Sequence, residues 1–107
     1  MTLHLTLAVG IKELPSLTRA SERYRLASLL REDGFSVRQH SCDYFIRFAG
    51  RFVCVLVLFP TSGEAQIYTV GINEVIEKAV ERIIRIIKHI APDIEIKVQP
   101  LERTDGK

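Results

Sequence analysis

Phe52 to Gly71 reads FVCVLVLFPTSGEAQIYTVG, and the fold of the whole chain turns on this stretch. Eight apolar residues run without a break from Phe52 to Phe59. The run is far short of the ~20 residues a membrane helix needs, and it is rich in the β-branched and aromatic residues that strands favour. Pro60-Thr61-Ser62-Gly63 breaks this strand and turns it. A second strand follows through Gln66-Ile67-Tyr68-Thr69-Val70 and ends at Gly71. A strand apolar on both faces has either two covered faces or one face kept open for a partner.

Upstream, Leu3, Leu5, Leu7 and Val9 alternate with Thr2, His4, Thr6 and Ala8, the pattern of a strand with one buried face. Gly10 closes it, and Leu14-Pro15-Ser16 opens a helical region. Its apolar face drifts, which predicts a short helix to about Ala20 and a second from Ser21 as N-cap to Asp33, with Gly34 at C′. Phe35, Val37 and Gln39 then alternate against Ser36, Arg38 and His40, and another strand covers Tyr44 to Phe48. Gly50 suits the left-handed site of a three-residue loop, Phe48-Ala49-Gly50. That loop pairs Ile46 with Phe52, Tyr44 with Cys54 and Phe45 with Val53. A two-residue Ala49-Gly50 turn would slip this register.

Downstream of Gly71 the period becomes helical. Ile72, Ile76, Ala79, Ile83, Ile87 and Ile90 line one face, flanked by Val75, Val80, Ile84 and Ile86. This apolar arc is wider than the ~100° one sheet contact needs. Pro92 stops the helix, and Ile94, Ile96 and Val98 alternate as a final strand. The order β-α-β-β-β-β-α-β predicts an α+β fold, an antiparallel curved sheet with helices packed on one face. Residues 1–99 form one domain and 100–107 a polar tail.

The chain has 107 residues, 47% hydrophobic and 26% charged, with a formal charge of +2. The charge permits an anionic partner without demanding one. No signal peptide or membrane span is legible, so the expectation is a soluble, cytoplasmic protein with no membrane partner. Cys42 and Cys54 lack any zinc-ligand spacing and read as small buried hydrophobes. Asn and Gln are scarce while Ile, Glu, Lys and Arg abound, a balance that suits a thermophile. The sequence has no Gly-rich phosphate loop, GxSxG or HExxH, so neither an enzyme nor a bound cofactor or metal is expected.

If the leucines of the first strand and Ile46, Phe52 and Cys54 pack under the helices, the opposite face follows from strand parity. It carries His4, Thr6, Arg38, His40, Phe45, Arg47, Val53, Val55, Val57, Phe59, Gln66, Tyr68 and Val70. An apolar floor with three aromatics and two arginines exceeds what a monomer leaves exposed, and it suits nucleic acid through stacking and phosphate contacts. The other reading is a protein-interaction or self-association face that docks a partner protein without nucleic acid.

The stretch from Val53 to Ile90 resembles one repeat of the TATA-box-binding protein family. The resemblance rests on Val57-Leu58-Phe59, Ser62-Gly63, Thr69-Val70-Gly71 and Glu81-Arg82-Ile83-Ile84, with Leu5-Thr6-Leu7-Ala8-Val9-Gly10 similar to the family's first strand. It implies a half-saddle fold in which Phe59 matches a wedge phenylalanine and His4, Thr6, Val57, Tyr68 and Val70 match the DNA-facing floor. The DNA-bending saddle needs two repeats, and one is present here. The expectation is therefore a homodimer binding DNA or RNA.

Overall fold

Helix α1 (Ala20–Glu32) ends in a way its sequence dictates. Gly34 takes a φ of +105°, its N–H bonds the Arg31 carbonyl at 3.0 Å, and the Phe35 N–H reaches back to the Leu30 carbonyl at 3.1 Å. This pair of reversed bonds is a Schellman cap, sealed by the buried Phe35 and Leu30 side chains. The coordinates are a computed structural model, in which residues 15–71 and 73–101 are described. The first predicted strand, with His4, Thr6 and Ala8, lies outside the described residues, as do Leu14, Ile72 and the tail beyond Leu101.

The start of α1 differs from expectation. Arg19, not Ser21, occupies the N-cap position, and it makes no side-chain capping bond. Among the described residues no short helix precedes it, because Leu17 has a left-handed φ of 72°. Two side chains hold this turn with three hydrogen bonds: Glu22 Oε1 accepts from the Leu17 N–H at 2.8 Å, and Arg23 Nη1 donates to the carbonyls of Leu17 at 3.0 Å and Thr18 at 2.8 Å. The Leu17 side chain is fully buried, which offsets the strain of that backbone.

Five strands follow: β1 (Ser36–His40), β2 (Asp43–Phe48), β3 (Arg51–Phe59), β4 (Glu64–Thr69) and β5 (Glu95–Pro100). They form one mixed sheet in the order β1-β2-β3-β4-β5. The first four are antiparallel, as predicted, but β5 runs parallel to β4. Helix α2 (Glu74–Ile90) lies between those two strands and carries the chain back along the sheet, so the next strand repeats the direction of β4. Asn73 starts α2, its side chain accepting from the Ile76 N–H at 2.9 Å. Lys88 reaches past its end to the Ile94 carbonyl at 2.6 Å.

The two helices pack on one face of the open sheet, giving the α+β architecture. Leu26, Ala27 and Leu30 of α1 and Ala79, Val80, Ile83 and Ile87 of α2 meet Tyr44, Ile46, Cys54, Leu56, Leu58, Ala65 and Ile67. The wide apolar arc of α2 is absorbed by two neighbours, the sheet and α1, with Ile84, Ile86 and Ile90 half-buried against the same core. Tyr44 is fully buried, and its hydroxyl donates to the Arg23 carbonyl at 2.8 Å. That bond ties β2 to α1. Burial raises the Tyr44 phenol far above its ordinary pKa, against a smaller opposing pull from Arg23. Among the described residues, no helix is long and apolar enough to cross a membrane.

The β2–β3 hairpin corrects the predicted register. Its turn has two residues, Ala49 at φ 53° and Gly50 at φ 79°, and Arg47 pairs with Phe52. Both turn residues lie in the left-handed region, the requirement of a type I′ turn. A β-bulge between Ile46 and Arg47 then absorbs Val53, so Ile46 pairs with Cys54 and Phe45 with Val55. Two predicted facings are thereby exchanged. Val53 is core, 2% exposed, while Phe52 shares the face of its partner Arg47. From Cys54 onward the parity is the one expected.

Candidate functional site

The register sets the face away from the helices into rows. One row runs Arg38, Phe45, Val55, Tyr68, Gln99 across all five strands. A second runs His40, Asp43, Val57, Gln66, Lys97. Ser36, Arg47 and Phe52 make a third at one end, and Phe59, Glu64 and Glu95 a fourth at the other. Directly opposed side chains in such a row are in contact range, which makes each row a physical unit.

These rows divide the face into two regions of different chemistry. Over β1 to β3, Arg38, His40, Phe45, Arg47 and Phe52 line one groove. The Phe45 ring is 39% exposed on its floor, and His40 meets it edge-on with centroids 6.4 Å apart and planes at 81°. Arg47 is steadied by a 2.8 Å hydrogen bond from Nη2 to the Gly50 carbonyl, which holds its guanidinium at the turn end of the groove. Aromatic surface with fixed guanidinium groups alongside can take a planar ring and its attached anion.

Over β4 and β5 the face is a hydrogen-bonded polar network. Gln66 Nε2 donates to Glu64 Oε2 at 2.9 Å, the Tyr68 hydroxyl donates to Gln66 Oε1, and Gln99 Nε2 donates to the same oxygen at 3.3 Å. Lys97 Nζ lies 3.4 Å from Glu64 Oε2. The hydrogen bond from Gln66 and then the Lys97 charge outweigh a partial desolvation and hold the Glu64 carboxyl below its ordinary range.

Each predicted site residue within the described part of the chain has a definite place. Arg38, His40, Phe45 and Arg47 come together in the groove, with Val55, Val57 and Tyr68 in the rows beyond it. Phe59 stands on the same face, 40% exposed, about 14 Å along β3 from the Phe45 row at 3.4 Å per residue. Its row-mates are two carboxylates. Val70 follows β4 and lines a separate cleft with Phe52, Val53 and Val75. His4 and Thr6 are outside the described residues.

No family model, no curated protein and no solved structure matches this chain.

Sequence reasoning missed Phe52, whose place in the groove depends on the two-residue turn and the bulge. The signal was Ala49-Gly50 itself, since a small residue before glycine fits a type I′ turn. It also missed the carboxylates of Glu64 and Glu95 on this face, and the engagement of Lys97. Among the described residues, no three of His, Cys, Asp and Glu gather to hold a metal ion.

Proposed function

We propose that the chain is a nucleic-acid-binding module, and that its site is the groove around Phe45 rather than the whole sheet face. One observation carries this reading: an exposed phenylalanine ring lies between Arg38, directly across from it, and Arg47, two residues along its own strand. A base would stack on the ring while its phosphates meet the guanidinium groups. The half-saddle resemblance supports the use of this face, but it points to Phe59, whereas the charges favour the other end. Fluorescence anisotropy with labelled DNA and RNA at low and moderate salt tests the proposal. Binding that weakens with salt is expected, because phosphate contacts release counterions. An absence of binding at every salt concentration would refute it.

A second reading, self-association or docking of a partner protein, is favoured by Val55, Val57 and Phe59. They form an apolar line along β3, and Lys97, in the row of Val57, is already paired with Glu64. Sedimentation at micromolar concentration separates the two. A homodimer of the 12.2 kDa chain that Phe59→Lys returns to monomer would place the interface on this line.

A further inference from the structure

The charges of the open face are one-sided. Arg38 and Arg47 stand at the β1–β2 margin, in rows where no carboxylate is found among the described residues. Asp43 enters only in the next row, opposite His40. At the far corner the row of Phe59 holds Glu64 and Glu95, and Lys97 is spent on Glu64. Between these ends lie the neutral Tyr68, Gln66 and Gln99, bonded to one another.

We infer that the groove takes a single strand of nucleic acid and discriminates against a duplex. This rests on the proposed function and names its ligand class. A duplex presents two phosphate rows separated by the width of a groove, about 6 Å or 12 Å, so a sheet that straddles it needs cations at both margins. From β1 to β4 the sheet spans about 14 Å at 4.8 Å per strand, and there a second phosphate row would meet the neutral, mutually bonded Tyr68, Gln66 and Gln99 and no free cation among the described residues. A single strand has one backbone, which the Arg38–Arg47 margin matches. Its bases are also free to leave their neighbours and lie on a protein ring, which paired bases are not.

The hairpin supplies a second ring. Phe52 pairs with Arg47, the next outward-facing residue of β2 after Phe45. Both rings line the same groove. Two rings beside two guanidinium groups make a platform for two successive nucleotides. The bulge at Val53 builds this platform, since it turns Phe52 outward while leaving Cys54 in the core.

The test is anisotropy on the full chain with a labelled thymidine oligonucleotide of about ten residues, alone and as the duplex with its complement. Single-strand binding at least tenfold tighter than duplex binding is expected. Phe45→Ala and Phe52→Ala should each weaken the single strand roughly five- to a hundredfold, the usual effect of losing one base–aromatic stack. Phe45→Trp should retain binding, and Phe59→Ala should leave it unchanged. Circular dichroism melts confirm that each variant folds, and Phe45→Leu, which keeps an apolar side chain but no ring, should show the same loss as Phe45→Ala. Arg38→Gln and Arg47→Gln should each reduce the slope of log affinity against log salt by about 0.7. Equal or tighter duplex binding, or a loss at Phe59 as large as at Phe45, would overturn the inference while leaving nucleic-acid binding intact. Binding to neither form would instead overturn the proposed function beneath it.

Discussion

Arg82 of α2 grips Asp33 at the end of α1, with Nε 2.9 Å and Nη2 2.9 Å from the same carboxylate oxygen. The guanidinium also sits 4.9 Å from the Phe35 ring centroid and 5.0 Å from that of Phe48. One side chain thus joins both helices to the first hairpin, just where the chain leaves α1. An exposed ion pair contributes at most about 1 kcal/mol and each cation–π contact about 0.5–1 kcal/mol. Arg82→Ala should therefore destabilise the fold by about 1–2 kcal/mol in denaturant melts. Arg82→Lys should restore only part of this, because an ammonium cannot fork or stack as a guanidinium does.

Ala49 occupies the left-handed region at φ 53°, where a Cβ costs about 1–2 kcal/mol. Glycine removes that strain but adds freedom to the unfolded chain, worth about 0.5–1 kcal/mol. Ala49→Gly should leave the protein slightly more stable, by up to about 1 kcal/mol, and raise its melting temperature. A drop would mean that the turn is not of the primed type.

The cysteines should behave differently. Cys54 is fully buried, and desolvation pushes its thiol from an ordinary value near 9 to about 12. Cys42 is half-buried beside a turn. A thiol reagent at neutral pH should label Cys42 in the native chain and reach Cys54 only after unfolding. Because the folded-state pKa of Cys54 is raised, its contribution to stability is complete below pH 9 and lost as pH rises toward 12. Cys54→Ala should flatten the alkaline fall in stability, read from melts across that range.

Glu64 should show the opposite sign. Its carboxyl is held below the ordinary range by Gln66 and Lys97, so its stabilising effect is present above that range and lost as pH falls through the lowered value. Glu64→Gln should therefore reduce the acid dependence of melting, with the variant melting below the native chain near neutrality and like it at acid pH. The same variant frees Lys97 on the side where the single-strand reading leaves a second phosphate row without a cation. Duplex affinity should rise in it.

Phe59 separates a surface role from a core role. At 40% exposure, on the face away from the helices, its ring contributes little to packing. Phe59→Ala should change folding stability by less than about 1 kcal/mol, whereas Ile83→Ala, in the fully buried core, should cost about 2–5 kcal/mol. Paired chemical denaturation curves decide it. A loss at Phe59 as large as at Ile83 would place the ring in the core.

What the sequence determined by itself was local. Alternation with period 2 marked β1 and β5, an unbroken apolar run marked β3, period 3.6 marked α2, and Gly34 marked the end of α1, because each signal depends only on neighbouring residues and their backbone preferences. Strand parity likewise placed Arg38, His40, Phe45 and Arg47 on one face. Tertiary structure decided everything that needed a partner. Whether the hairpin closes with two or three residues depends on which cross-strand pairs bury more surface, and the bulge that restores Cys54 to the core turns Phe52 out of it. The direction of β5 follows from how α2 recrosses the sheet. The neutralisation of Lys97 follows from Glu64, which lies on the adjacent strand but 33 residues away in the chain. No local pattern encodes a distance of that kind, and the charge asymmetry of the open face is its consequence.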